Sequence, residues 1–339
     1  MAAREDYITA TTQAGDAYAS AAANLQKDAD QTRIDALTAQ VQDLQQQLAD
    51  CQAGNVVQQT TLMGSACAGW WSGKAGTAKE TRQQGTARIQ QAFPGIGVWR
   101  TWETNPSYLD KSIQVFLDTG SVSNVQSCVN ALLAYNTKTN WLSCWHEPEN
   151  DNVAIADWQK IQMQAGAVVA QNGKGKVRYV SLLMGETGIP SRNPPTSADQ
   201  WFNFDLGNIY CIGCDLYQNA KDDASADRAQ DTLGPWIALA RKLNKPLVIG
   251  EFGVRRVNPP WSPGISDSAR ATYAQACITM MDTEKFANGK PVVEACMIYE
   301  SDSGTSGRLP WNILGPPGQT APYSPKVQQV WAARFAKQK

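Results

Sequence analysis

Two glutamates in this chain each end a short apolar run. Glu147 lies in Trp145-His146-Glu147-Pro148-Glu149-Asn150, and Glu251 lies in Ile249-Gly250-Glu251-Phe252-Gly253. The runs at 140–145 and 246–249 read as buried strands, so a carboxyl that follows one has left the packed interior and faces an open rim. Cleaving a sugar–sugar bond takes two such groups, one acid and one nucleophile. Glu147 and Glu251 are therefore the candidate catalytic residues, and the expected substrate is a polysaccharide.

A pair far apart in sequence needs a scaffold that brings strand ends together. Apolar runs at 61–66, 96–101, 113–117, 141–145, 177–183, 209–216, 246–249 and 295–299 have strand character. Helical patterns at 77–92, 122–135, 155–172, 225–243 and 268–286 fall between them, and one at 324–337 closes the chain. Eight strands alternating with helices over roughly 280 residues match an α/β chain folded as a (β/α)8 TIM barrel. The longest loops, 255–267 and 301–323, then follow late strands and lie on the C-terminal face, where barrel active sites form.

Polar residues at the strand ends make up the rim. They are Ser65, Arg100, Trp102, Asp118, Trp145, His146, Glu186, Asp215, Tyr217 and Glu300, beside the two catalytic candidates. Alternation puts Cys211, Gly213, Asp215 and Tyr217 on one face, and Leu247, Ile249 and Glu251 on another. His146 and Glu147 are neighbours, so both reach one pocket only if the strand ends or bulges there. Trp102, Trp145, Trp261 and Trp311 are candidate platforms for the apolar faces of sugar rings. Arg100, Asp118, His146, Tyr217 and Glu300 complete the expected substrate-binding set.

With these motifs the chain resembles the clan A retaining glycoside hydrolases, whose acid/base Glu ends the fourth strand and whose nucleophile Glu ends the seventh. His146-Glu147-Pro148 stands where many members have Asn-Glu-Pro. A His before the acid/base and Glu251-Phe252-Gly253 on the seventh strand are similar to the β-mannanases of family 26. So is Asp215-Leu216-Tyr217, the Asp-x-Tyr segment whose Tyr touches the nucleophile. The resemblance covers about residues 60–338, and the Trp-rich stretch expected after the acid/base is reduced to Trp158. It implies Glu147 as acid/base and Glu251 as nucleophile, about 5–5.5 Å apart. Burial or the charge of Glu251 would raise the Glu147 pKa towards ~6. Arg100 and the Tyr217 hydroxyl would keep Glu251 ionised, and His146 would bond the sugar 2-hydroxyl.

Composition narrows the alternatives. The 339 residues carry a net charge of −1 and a pI of about 5.9, with no basic stripe, so nucleic acid is not an expected partner. No apolar run reaches the ~18 residues of a membrane span. His146 is the only histidine, which excludes a multi-histidine metal cluster and leaves a Ser-His-Asp triad no other base. Cys211 and Cys214 have C-x-x-C spacing, but alternation sends them to opposite faces, and no second pair completes a zinc site. No metal and no cofactor are expected. Cys144 and Cys296 likewise read as packing residues.

Before residue 55 there is no Pro and no Trp; all 17 Pro and all 12 Trp come later. Ile34, Leu37, Val41, Leu44, Leu48 and Cys51 fall at alternating steps of three and four, a short heptad seam. Residues 1–58 are expected to form an α-helical coiled-coil stalk that makes a homo-oligomer through that seam, or else one helix packed on its own domain. Residues 59–339 are expected to form the barrel. The N-terminus lacks the apolar core of a secretory signal. Stalk and missing signal together resemble minor tail proteins of phages infecting actinobacteria. That resemblance implies a virion tail location, synthesis in a host cytoplasm, a host-envelope glycan as substrate and other tail proteins as partners. Two rival readings stay open: a glycan-binding tail module that does not cut, and a structural tail protein with a degenerate barrel.

Overall fold

In the computed structural model the described residues are 60–66, 80–102, 104, 108–218, 222–254, 265–299, 313–314, 322 and 324–338. They belong to one unit, Gln59–Lys339. The heptad residues Ile34, Leu37, Val41, Leu44, Leu48 and Cys51 lie outside the described residues.

Eight parallel strands close into a barrel in sequence order. They are β1 (Leu62–Ala66), β2 (Val98–Thr101), β3 (Gln114–Thr119), β4 (Asn140–Cys144), β5 (Val177–Met184), β6 (Cys211–Tyr217), β7 (Leu247–Gly253) and β8 (Val293–Tyr299). All eight expected strands are present, with ends shifted by up to four residues. The helices are α1 (Arg82–Ala92), α2 (Val125–Tyr135), α3 (Ile155–Asn172), the single turn α4 (Ala198–Trp201), α5 (Ala229–Leu243), α6 (Asp267–Thr283) and α7 (Pro325–Ala336). Among the described residues no helix separates β2 from β3, and only two short 3-10 turns (Gly185–Gly188 and Pro190–Arg192) and the one turn of α4 separate β5 from β6. The sequence shows no helical period in either place.

Local chemistry explains several boundaries. Thr81 and Gln84 form a reciprocal capping box at the start of α1, and the Ser266 hydroxyl accepts from the Ala269 N–H at the start of α6. Asn244 ends α5 in the left-handed region, φ 51°, a conformation Asn tolerates better than most residues.

The strands bury both faces, as parallel sheets do. Val98, Phe116, Trp141, Val180, Leu182, Cys211, Val248 and Met297 fill the barrel. Leu117, Leu142, Leu183, Ile212, Cys214, Leu247, Ile249 and Ile298 pack outward in the layer shared with the helices. Cys211 and Cys214 thus sit on opposite faces, as their spacing requires. Trp158 of α3 belongs to the outer layer, edge-on to Trp201 and Phe202 with ring centroids 5.3 and 5.9 Å apart. It serves packing rather than sugar.

One facing differs from the expectation. Leu247 and Ile249 point to the helices, yet Glu251 points into the barrel mouth. The ladder slips at this place: Cys214 pairs with Ile249, but the next residue, Asp215, pairs with Glu251. A β-bulge therefore absorbs Gly250, and the pleat no longer sets the direction of Glu251. A side chain at 250 would find no room, since a Cβ there would lie 2.5 Å from Asp215 Oδ1 and 2.7 Å from Arg100 Nη1.

Candidate active site

The mouth is organised around Arg100, whose side chain rises from β2 inside the barrel and is fully buried. Nη1 donates to Asp215 Oδ1 at 2.7 Å, Nη2 to Asp118 Oδ2 at 2.9 Å, and Nη1 lies 3.4 Å from Glu251 Oε1. An unpaired charge would be costly at this depth, and three carboxylates compensate it. They hold the guanidinium protonated against burial, which acts the other way. Its flat face lies 4.8 Å from the Trp102 ring.

His146 stands beside this cluster, its Nδ1 hydrogen-bonded to the Asp118 carboxylate. Burial favours the neutral ring, but the Asp118 charge outweighs it and carries the pKa up to about 9. Asp118 is itself held well below the usual carboxylate range: burial opposes ionisation, and the charges of His146 and Arg100 override it. Asp215 shifts upward, because burial and the charges of Glu251 and Glu147 together exceed the help from Arg100.

Glu147 reaches the mouth by a local departure from strand geometry. The strand β4 stops at Cys144, and both Trp145 (φ 55°) and Glu147 (φ 49°) adopt the left-handed region. Such backbone costs on the order of 1–3 kcal/mol per residue and collects at functional sites. Here it lets the adjacent His146 and Glu147 serve one pocket. Hydrogen bonds pin the segment: Trp145 N–H to Thr119 O at 2.8 Å, Glu147 N–H to Leu182 O at 3.3 Å, and Trp158 Nε1 to Trp145 O at 3.1 Å. The carboxyl accepts from Asn150 Nδ2 at 2.8 Å. Burial first, then the charge of Glu251, push the Glu147 pKa up to about 7.

Glu251 occupies the opposite strand end. Its Oε2 accepts from the Tyr217 hydroxyl, and Arg100 approaches Oε1. The Tyr217 ring is edge-on to Tyr299, centroids 6.0 Å apart. Arg192 holds the Tyr217 carbonyl at 3.0 Å.

The structure thus gathers Glu147, Glu251, His146, Arg100, Tyr217, Asp118 and Trp102 at one mouth. Two of them are corrected in role. Asp118 is buried beneath His146 and Arg100, and Arg100 is fully enclosed, so Asp118 orients those groups instead of meeting a glycan. Trp102 is 38% exposed, with its ring 5.8 Å from that of His146, in position for a platform. Trp145 is half-buried, its Nε1 donating to Asp151 Oδ2 at 2.7 Å. Glu186 is turned aside to Arg192, and Ser65 is buried. Glu300, Trp261 and Trp311 lie outside the described residues.

Sequence reasoning missed Asn150, whose approach to Glu147 depends on the left-handed backbone at 147. It also missed Gly250 and the partners of Glu149, which accepts from Met184 N–H and from Thr187 Oγ1 at 2.6 Å. Among the described residues one set of side chains could hold a metal ion: donor atoms of His146, Glu147 and Asp215 lie within 4.8 Å of one another.

No protein-family model matches the sequence, and no curated protein does. Solved structures do match over the barrel. A GH128 (subgroup I) endo-β-1,3-glucanase from Amycolatopsis mediterranei, in complex with laminaripentaose, is 15% identical with a TM-score of 0.52, over 80% of this chain and 99% of that one. A GH5-4 broad-specificity endoglucanase from Clostridium longisporum is 12% identical with a TM-score of 0.54, over 84% and 98%. A GH128 (subgroup VII) oligosaccharide-binding protein from Trichoderma gamsii is 12% identical with a TM-score of 0.50, over 82% and 94%. At these identities the likeness is one of fold.

Proposed function

We propose that this chain is a glycoside hydrolase that cleaves a β-linked polysaccharide with retention, using Glu147 as acid/base and Glu251 as nucleophile. The observation that carries the reading is the unequal treatment of two carboxyls at one mouth. Glu147 is kept protonated near neutrality by burial and by the charge of Glu251. Glu251 is met by a phenol and a guanidinium. Environments that separate an acid from a nucleophile in this way are what the chemistry requires.

In the first step Glu251 bonds to the anomeric carbon while the bond to the leaving oxygen breaks and takes the Glu147 proton. In the second, ionised Glu147 removes a proton from water, which displaces Glu251 and restores both groups. Trp102 supports the sugar ring, and His146 meets a ring hydroxyl. The β-linkage is supported by the β-1,3-glucanase among the barrel neighbours and by the motifs similar to family 26, a family of β-mannanases.

The test is release of new reducing ends from a panel of purified β-glucans, mannans and bacterial envelope glycans. Activity is expected on at least one and lost in both Glu147→Gln and Glu251→Gln. NMR of the first-formed product should show a retained anomer; an inverted one removes the nucleophile role of Glu251. A binding module is the second reading, favoured by the oligosaccharide-binding neighbour of the same fold. It predicts glycan affinity without turnover.

The wider setting rests on sequence. We place the barrel on a phage tail, carried by a coiled-coil stalk in residues 1–58 and directed at a host-envelope glycan. Sedimentation of the full chain against one lacking 1–58 tests the oligomer; an equal number of chains per particle rejects the stalk.

A further inference from the structure

Hydrolysis uses Glu147 and Glu251, and pairing with Arg100 accounts for only part of a third carboxyl sealed into the same mouth, Asp215. One of its oxygens is taken by Arg100 at 2.7 Å. The other, Oδ2, is buried without a hydrogen-bond partner, a costly state unless something fills it. Donor atoms of Asp215, His146 and Glu147 fall within 4.8 Å of one another. One ring nitrogen of His146, Nδ1, is bonded to a carboxylate, Asp118, as is common for a metal-binding histidine, and the metal would displace the ring's second proton.

We propose that His146, Glu147 and Asp215 bind a single divalent transition-metal ion, represented by Zn2+, and that the ion switches the hydrolase off. One nitrogen and two carboxylate oxygens form a donor set proper to Zn2+. Bonds of ~2.0–2.2 Å set ligand–ligand edges of roughly 3.4 Å, which the partly exposed Glu147 and His146 side chains reach by small rotations. Bound metal occupies the Glu147 carboxylate, so no proton passes to the leaving oxygen. The inhibition rests on the hydrolase reading; the binding does not.

Binding is read without substrate, by calorimetric titration of the full-length chain with ZnCl2 and by the visible spectrum of its Co2+ form. One ion per chain is expected, held at least about tenfold more weakly in both His146→Gln and Asp215→Asn. Glu147→Gln, at a partly exposed position, guards against variants that misfold. No saturable binding below about 1 mM, or wild-type affinity in all three variants, overturns the proposal. Activity of chelator-treated enzyme tests the hydrolase separately. Where such activity exists, stoichiometric Zn2+ should abolish it and EDTA restore it.

Discussion

Asp118 and His146 form a direct hydrogen bond at the foot of the mouth, from imidazole Nδ1 to a carboxylate that also binds Arg100. The pair sets the charge of the imidazole at the mouth. His146 is the only histidine in the chain, so its ring signals need no assignment. Its 1H–13C NMR titration should centre near pH 9. In Asp118→Asn the opposing effect of burial remains and the midpoint should fall to about 6.5 or below. A midpoint unchanged by that substitution would show that Asp118 does not hold the charge.

The same pair makes stability depend on pH, with a sign fixed by the two shifts. His146 has a folded pKa raised above its unfolded value of ~6.5, so its contribution is complete below that pH and is lost as pH rises towards 9. Asp118 has a depressed folded pKa, so its contribution is present above ~3.9 and is lost as pH falls. Urea midpoints of the wild type should therefore drop between pH 6.5 and 9 more than those of Asp118→Asn. Parallel curves would remove the linkage.

Glu147 titrates at about 7 and must carry a proton to act as acid. In EDTA-treated enzyme, kcat should fall above pH 7, approaching tenfold per pH unit. Glu147→Gln should reduce kcat by about 10²–10⁴-fold and abolish that limb. Tyr217→Phe deletes a hydrogen bond to a charged partner, worth about 1.5–3 kcal/mol, so its loss should be roughly 10–150-fold in kcat. If Tyr217→Phe retained full kcat, the phenol would have no part in steadying Glu251.

Gly250 exists for its neighbours. An alanine methyl would lie 2.5 Å from Asp215 Oδ1 and from Leu182 Cδ1, and 2.7 Å from Arg100 Nη1. Overpacking of this kind typically costs 1–3 kcal/mol. Gly250→Ala should lower the denaturant midpoint accordingly and reduce kcat through displacement of Arg100 and Glu251. Wild-type stability and turnover would mean that the barrel yields at this point.

The barrel was legible because each strand is an apolar run bounded by turn residues, and because Glu147 and Glu251 follow the fourth and seventh runs. Cys211 through Tyr217 kept their faces, since β6 alternates regularly. The facing of Glu251 was not legible: Leu247, Ile249 and Glu251 alternate in sequence, and only the ladder reveals that Gly250 is absorbed. Depth was illegible as well. Arg100 and Asp118 read as rim residues, but burial depends on how far neighbouring strands extend, and a polar type does not announce its layer. The partnership of Asn150 with Glu147 depends on a left-handed turn that no propensity favours for Glu.

Glu149 and Glu300 are the runner-up carboxyls for the acid role; Glu300 lies outside the described residues, and Glu149 is two residues from Glu147 and partly buried like it. Burial raises its pKa as well. Its oxygens are nevertheless committed to structure: both lie within 3.3 Å of the Met184 N–H, and Oε1 accepts from Thr187 at 2.6 Å. Those bonds tie the turn Pro148–Asp151, which follows Glu147, to the turn Gly185–Gly188 after β5. Glu149→Gln keeps an acceptor and should retain most of kcat and the limb near pH 7. Glu149→Ala leaves the amide and hydroxyl unsatisfied, at about 1–3 kcal/mol, and should lower the denaturant midpoint. Because the turn also carries Asn150, a smaller fall in kcat should accompany it. Were Glu149→Gln to erase the limb near pH 7 while Glu147→Gln left it in place, the acid would be Glu149.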